Sequence, residues 1–155
     1  MKTVAQILKS KPNQTVVTVP PRTTARDAAQ LMAEKCVGVL LVTVGDAIAG
    51  IVSERDLARK VMPFEYPASA VAVADIMTTG VIFVDIAQTN EDCMTLMTDH
   101  HLRHLPVLDN GRLVGMISIG DVVKDLLSDQ QFTIEQLEHY IAGVPTGQTV
   151  PSLSA

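Results

Sequence analysis

The sequence predicts an α/β (α+β) fold in which two tandem β-α-β-β-α repeats pack about a pseudo-twofold axis, followed by a C-terminal helix. Three observations carry this. A shift of 65 positions lays Val16–Met62 on the second half of the chain without a gap: Val16 falls on Val81, Asp27 on Asp92, Leu31-Met32 on Leu96-Met97, Gly50 on Gly115 and Asp56 on Asp121. Each copy shows the same order of strand-like and helix-like hydrophobic periods. Hydrophobic residues make up 47% of the 155 residues but aromatics only 3%, so a core must be built from Val, Leu, Ile, Met and Ala. Two copies suit a pseudo-twofold pair better than a solenoid, which usually needs three or more.

The elements follow in order. Val4-Ala5-Gln6-Ile7-Leu8 matches Val73-Ala74-Asp75-Ile76-Met77 at a slightly different offset, so an insertion or deletion lies in the loops before the aligned blocks. The runs Val16–Val19 and Val81–Val84 are β-rich, and Pro20-Pro21 ends the first. Thr24-x-x-Asp27 and Thr89-x-x-Asp92 are helix N-cap signals with an acidic first turn. Ala28, Leu31 and Met32, like Cys93, Leu96 and Met97, keep the spacing of a buried helical stripe. Two strands follow in each copy: Val39–Val44 with Ile48–Val52, and Leu105–Leu108 with Leu113–Ile117. Asn110-Gly111 is a strong hairpin signal in the second copy, and Gly45-Asp46 stands in its place in the first. A last helix opens at Ser53 and at Ser118, and Pro63 and Pro67 punctuate the linker. Val123, Leu127, Gln130, Ile134, Leu137 and Ile141 then form a heptad-like stripe on one helix ending near Gly143, before a tail at Val144–Ala155. The organisation expected is repeat 1 with its N-terminal helix at 1–66, repeat 2 at 67–128, and a helical extension and tail at 129–155.

Composition excludes several functions. A net charge of −5 offers no footprint for nucleic acid. The longest apolar run, near Val37–Val44, is far short of the roughly 18–20 residues of a membrane span. The N-terminus has no continuous signal-peptide core. Two cysteines, Cys36 and Cys93, make no disulfide framework, which points to a reducing, cytoplasmic setting. No nucleophile elbow, phosphate loop, dinucleotide fingerprint or metalloprotease motif is present, so no enzyme and no catalytic cofactor are expected. His100, His101 and His104 fall at a helix end with no zinc-spaced partners, so no metal is expected.

Ser53-x-x-Asp56 and Ser118-x-x-Asp121 fit a helix N-cap with an acidic third residue. They also lie within Gly50-Ile51-Val52-Ser53-Glu54-Arg55-Asp56-Leu57 and Gly115-Met116-Ile117-Ser118-Ile119-Gly120-Asp121-Val122. Both segments resemble the Gly-hydrophobic-hydrophobic-Ser/Thr-x-x-Asp signature of CBS domains, and His104-Leu105-Pro106-Val107 resembles the strand-entry segment of that family. The similarity covers roughly residues 1–128 and suggests a stand-alone bacterial tandem pair, or Bateman module.

That resemblance implies a regulatory module binding an adenosine compound (AMP, ADP, ATP, NAD or S-adenosylmethionine) in the cleft between repeats. It would signal to a partner protein in trans. The physics agrees, since a carboxylate accepts hydrogen bonds from both ribose hydroxyls. Asp56 and Asp121 would take the ribose, with Ser53, Ser118, Thr24 and Thr89 as caps that also reach ligand. Arg55, Arg103 and His104 would meet phosphate, and Pro106 lies on the same strand entry. Adenine would slot between β-branched Val37, Val39 and Ile117. The resemblance also implies a homodimer through the helices opening at Ser53 and Ser118, where Leu57, Val61 and Met62, and Val122, Leu126 and Leu127, supply surplus apolar surface. The competing class is a nucleotide-free structural or interaction module, in which the two aspartates are caps only.

Overall fold

The computed structural model describes residues 1–12 and 16–141, with Ile141 described by its backbone alone. The chain opens with α1 (Val4–Ser10), then β1 (Thr18–Val19), α2 (Ala25–Lys35), β2 (Val39–Val44), β3 (Ala47–Ser53) and α3 (Glu54–Lys60). A short 3₁₀ turn at Ala68–Ala70 leads to α4 (Val73–Ile76), β4 (Val84–Asp85), α5 (Asn90–His100), β5 (His104–Asp109), β6 (Arg112–Ser118) and α6 (Ile119–Ile141). Two three-stranded sheets result, ordered β1-β2-β3 and β4-β5-β6. In each, the first strand is parallel to the second and the second antiparallel to the third.

Local chemistry explains most of these elements. Thr24 and Thr89 cap α2 and α5 by accepting from the amides of Asp27 and Asp92. Both helices end on a non-glycine residue in the left-handed region, Cys36 (φ 54°) and His101 (φ 55°), at matched positions of the repeat. Asn110 and Gly111 both take positive φ, as a two-residue hairpin loop with matching strand twist requires. The β-rich runs before α2 and α5 shrink to two paired residues each. Only Thr18 and Val19 find partners in Leu41 and Val42, and Val84 and Asp85 in Val107 and Leu108.

The last helices differ in length for a sequence reason. Pro63 disfavours helical geometry at Met62, and α3 stops at Lys60. Ser128 occupies the matched place in the second repeat, and α6 runs on for 23 residues, straight through position 128. Its expected end near Gly143 and the tail Val144–Ala155 lie outside the described residues.

The two cores do not follow chain order. Val4, Ile7 and Leu8 of α1 pack with Val84, Leu105, Val107 and Ile117 of the second sheet. Val73 and Ile76 of α4 pack with Val19, Leu40, Val42 and Val52 of the first. The two sequence repeats thus exchange their opening helices. Backbone hydrogen bonds repeat the exchange symmetrically: the amides of Val4 and Ala5 reach the carbonyls of Gln88 and Ile86, while those of Val73 and Ala74 reach Thr23 and Pro21. Leu57, Val61 and Val122, expected as surplus apolar surface, are instead spent inside these cores. Val61 and Val122 are buried, and Leu57 packs against the first core.

Alternation along β2 sets up the next level. Leu40 and Val42 point into the first core, yet Val39 and Leu41 on the opposite face are buried as well. A strand buried on both faces needs cover on its second side. On that side Val39 lines a cavity together with His101, Leu102, Arg103 and His104 of the second repeat.

Gly50 and Gly115 permit the helix exchange at close range. A Cβ on Gly50 would stand 2.6 Å from Met77 Sδ and 2.9 Å from the Thr78 carbonyl oxygen. One on Gly115 would stand 2.8 Å from Leu8 Cδ2. Gly50→Ala should therefore lower the unfolding free energy by about 1–3 kcal/mol, the range for overpacked cores. Gly115→Ala should cost less, because only a side chain must yield. Urea unfolding of both variants checks the order.

Candidate functional site

A cavity of about 320 Å³ opens between the repeats. The first repeat contributes Gly38, Val39, Ile51, Ser53, Glu54, Arg55 and Asp56, and the second contributes Thr78, His101, Leu102, Arg103 and His104. The volume falls at the lower end of small-molecule pockets. Gly38 and Arg103 occupy matched positions of the two repeats, so one wall carries a guanidinium where the other carries no side chain. Glu54 Oε2 would lie 3.4 Å from a Cβ built on Gly38, which places this carboxylate over the bare wall.

Asp56 is held by a full capping box. The Ser53 amide donates to its Oδ2 at 2.8 Å, the Ser53 hydroxyl donates to the same oxygen at 3.1 Å, and the Asp56 amide donates to Ser53 Oγ at 3.3 Å. Lys60 Nζ reaches Asp56 Oδ1 at 2.9 Å and also donates to the Ile76 carbonyl at 2.8 Å. The side chain nonetheless lines the cavity, so capping and ligand contact are compatible at this residue. Arg55 and Arg103 are exposed and have no ion-pair partner among the described residues. Their charge is available to an anion in the cleft.

The matched cluster of the second repeat is built alike but partnered differently. The Ser118 amide donates to Asp121 Oδ2 at 2.8 Å, and the Asp121 amide to Ser118 Oγ at 3.2 Å. Lys11 Nζ, from the segment after α1, lies 2.8 Å from Asp121 Oδ2 and donates to the Met116 carbonyl at 2.7 Å. Burial pushes the Asp121 carboxyl up, but the bonds from Lys11 and Ser118 outweigh it and hold the group below 3.8. His104 is pushed below 6.5, first by burial and then by the nearby charge of Lys11, with Arg103 adding to it. The carboxylates of Asp121 and Glu54 oppose that shift.

Of the residues named from the sequence, Val39, Ser53, Arg55, Asp56, Arg103 and His104 meet in this cavity. Thr24 and Thr89 cap their helices and bridge to Ala72 and Thr3, away from its lining. Val37 is half-buried against the first core, and Pro106 is buried within β5. Ser118 and Asp121 form the separate cluster just described. Ile117 needs a correction. It is 0% exposed inside the second core, because strand alternation turns it inward between Met116 and Ser118. It cannot flank an adenine ring. The apolar cavity residue of that motif is Ile51, one position before the core residue Val52.

Gly38, Ile51, Glu54, Thr78, His101 and Leu102 also line the cavity. Period-two alternation could have found Ile51. Thr78 arrives only because its backbone pairs with Ile51 through two hydrogen bonds of 2.9 and 3.0 Å, a tertiary fact without local signal. Among the described residues no cluster of three or more His, Cys, Asp or Glu could hold a metal ion, and no helix is long and apolar enough to cross a membrane. Both cysteines are free, with Cys93 buried and its thiol pushed up to about 11 by that burial.

Comparison with known proteins agrees with a tandem pair. The CBS domain profile matches residues 4–63 and again 73–128. The chain belongs to the CBS-domain family. Among CBS-domain relatives, the mitochondrial protein CBSX3 of Arabidopsis thaliana is 34% identical over 125 residues, covering 77% of this chain and 61% of that protein. YhcV of Bacillus subtilis is 30% identical, covering 74% of this chain and 81% of its own. The structure of a Burkholderia ambifaria protein with CBS domains superposes with a TM-score of 0.80 at 56% identity, over 86% of this chain and 99% of that one. CBSX2, solved in complex with AMP, superposes with a TM-score of 0.65 at 30% identity, over 84% of this chain and 99% of its own.

His104 gives the site a pH signature. Its folded-state pKa lies below the unfolded value near 6.5, so the unfolded chain takes up the proton first. This contribution to stability is complete above about 6.5 and falls as pH drops through that value towards the lower folded one. Melting temperatures of the parent should decline over this window, and those of His104→Gln should decline less. Parallel profiles would place His104 in a solvated environment.

Proposed function

We propose that this CBS pair is a cytoplasmic, non-enzymatic regulatory module that binds an adenosine nucleotide (AMP, ADP, ATP or NAD) in the cleft between its repeats. Binding would be passed to a partner protein in trans. One observation carries the reading: the cavity sets the Asp56 carboxylate of one repeat against Arg103 and His104 of the other, with Arg55 beside them. The complex of CBSX2 with AMP supports it by similarity.

The residues divide the ligand by chemistry. Ser53 fills both acceptor sites of Asp56 Oδ2 and Lys60 takes one on Oδ1, which leaves a site on Oδ1 for a ribose hydroxyl. Arg55 and Arg103 offer planar donors to phosphate. Val39 and Ile51 give apolar walls to a base. A ligand held this way touches both repeats at once, which makes occupancy a constraint on their relative position.

Assembly as a homodimer belongs to the same proposal. On α6, Val123, Leu127, Ile134 and Leu137 are 46%, 57%, 44% and 55% exposed, and a groove along that helix is lined by the first three. A symmetric copy would cover this stripe. The nucleotide-free reading has its own support, since the capping box and Lys60 already satisfy Asp56 without any ligand.

Calorimetry and thermal shift separate the two readings. AMP, ADP, ATP or NAD should raise the melting temperature more than GMP or CMP. Asp56→Ala should weaken binding by about 1.5–3 kcal/mol, the cost of losing hydrogen bonds to a charged acceptor. Equal or absent shifts for all nucleotides favour the structural module. Light scattering should give about twice 16.7 kDa, and a monomer would remove the dimer from the proposal.

A further inference from the structure

We propose that the two Ser-x-x-Asp clusters are functionally unequal because Lys11 is a built-in occupant of the Asp121 carboxylate, so that only the Asp56 cleft takes nucleotide in the intact chain. This rests on the nucleotide reading above and specifies its stoichiometry.

The asymmetry starts in the sequence. α1 and α4 are matched by a shift of 69 positions, which lays Leu8 on Met77 and Lys11 on Gly80. The segments after these helices then satisfy equivalent carbonyls in different ways. In the first repeat the Ile51 carbonyl accepts from the Thr78 amide at 2.9 Å, backbone to backbone. In the second, the matched carbonyl of Met116 accepts from Lys11 Nζ at 2.7 Å. A side-chain ammonium has replaced a peptide N–H, and its remaining donors point to whatever acceptor is nearest. That acceptor is Asp121 Oδ2, at 2.8 Å.

Both partners are largely withdrawn from water, with side-chain exposures of 20% for Lys11 and 19% for Asp121. A ribose approaching Asp121 brings neutral hydroxyl donors against an ammonium already in place, and the charged donor makes the stronger bond. Moving Lys11 aside would also strip the Met116 carbonyl of this donor and leave a partly buried cation without its carboxylate. The charge of Lys11 is felt by His104, which lines the first cavity.

The lysine on Asp56 is arranged differently. Lys60 belongs to the same helix as its partner, is 45% exposed, and is absent from the cavity lining. It approaches Asp56 from the α4 side, where it also meets the Ile76 carbonyl, and leaves the cavity side open. Both carboxylates thus carry an ammonium, but the Lys60 pair leaves Asp56 on the cavity lining, whereas the ammonium on Asp121 comes from another segment and is itself shielded.

ADP titration by calorimetry tests this. The parent should take up one ADP per chain, and Asp56→Ala should lose it. Lys11→Met should take up a second, and Lys11→Met with Asp121→Ala should return to one. Two equivalents in the parent, or one in Lys11→Met, would overturn the proposal while leaving the nucleotide reading intact. No uptake by the parent or by Lys11→Met would overturn the nucleotide reading and this proposal with it. Should Lys11→Met fail to fold, the Asp121 carboxyl ¹³C resonance of the parent gives the same answer. It should stay in place through the first equivalent of ADP, and a shift there would put the ligand on Asp121 and overturn the proposal.

Discussion

A three-stranded sheet has two faces and too few strands to bury either one unaided, and here each sheet is completed by a helix from the other sequence repeat. α1 closes the second sheet and α4 the first. The approach is tight at both contact points, Gly50 and Gly115, and at Gly50 a Cβ would meet backbone. Everything else in the arrangement depends on this exchange. It ties the halves together through backbone hydrogen bonds.

The cleft follows from that geometry. Strand ends carrying Ser53 and His104 come from different repeats, yet the exchange brings them to one cavity. Its chemistry is divided accordingly, with Asp56 and Arg55 on one wall and Arg103 and His104 on the other. The same exchange sends Lys11 from the end of α1 across to Asp121 in the second repeat. A cluster that looks duplicated in sequence thereby acquires two different electrostatic settings. A second clasp, Lys2 on Asp125 at 2.9 Å with Asn90 donating to the same carboxylate, fixes the N-terminus against the root of α6.

Much of this was legible locally. Thr24, Thr89 and Ser53 act as the caps their spacing predicts, and Asn110-Gly111 forms its hairpin, because each depends on neighbours a few residues away. The internal repeat exposed the tandem architecture. Partnering was not legible. The stripe Val4, Ile7, Leu8 announces burial but not which sheet receives it, since both sheets present near-identical aliphatic faces. Strand alternation turns Ile117 into the second core, and Leu57, Val61 and Val122, an apolar surplus by sequence, are taken up by the two cores. Lys11 carries no motif at all. Its role exists only once the exchanged helix delivers it to Asp121.

Native-state hydrogen exchange across the intact chain tests the exchange of helices most directly. With α1 part of the second core, the Ile7 amide should open with the same free energy and denaturant dependence as the core amides of β5. The Met77 amide, at the end of α4, should open together with those of β2. An α1 that opens at far lower free energy while β5 and β6 stay protected would contradict the exchange and leave each repeat to close its own core.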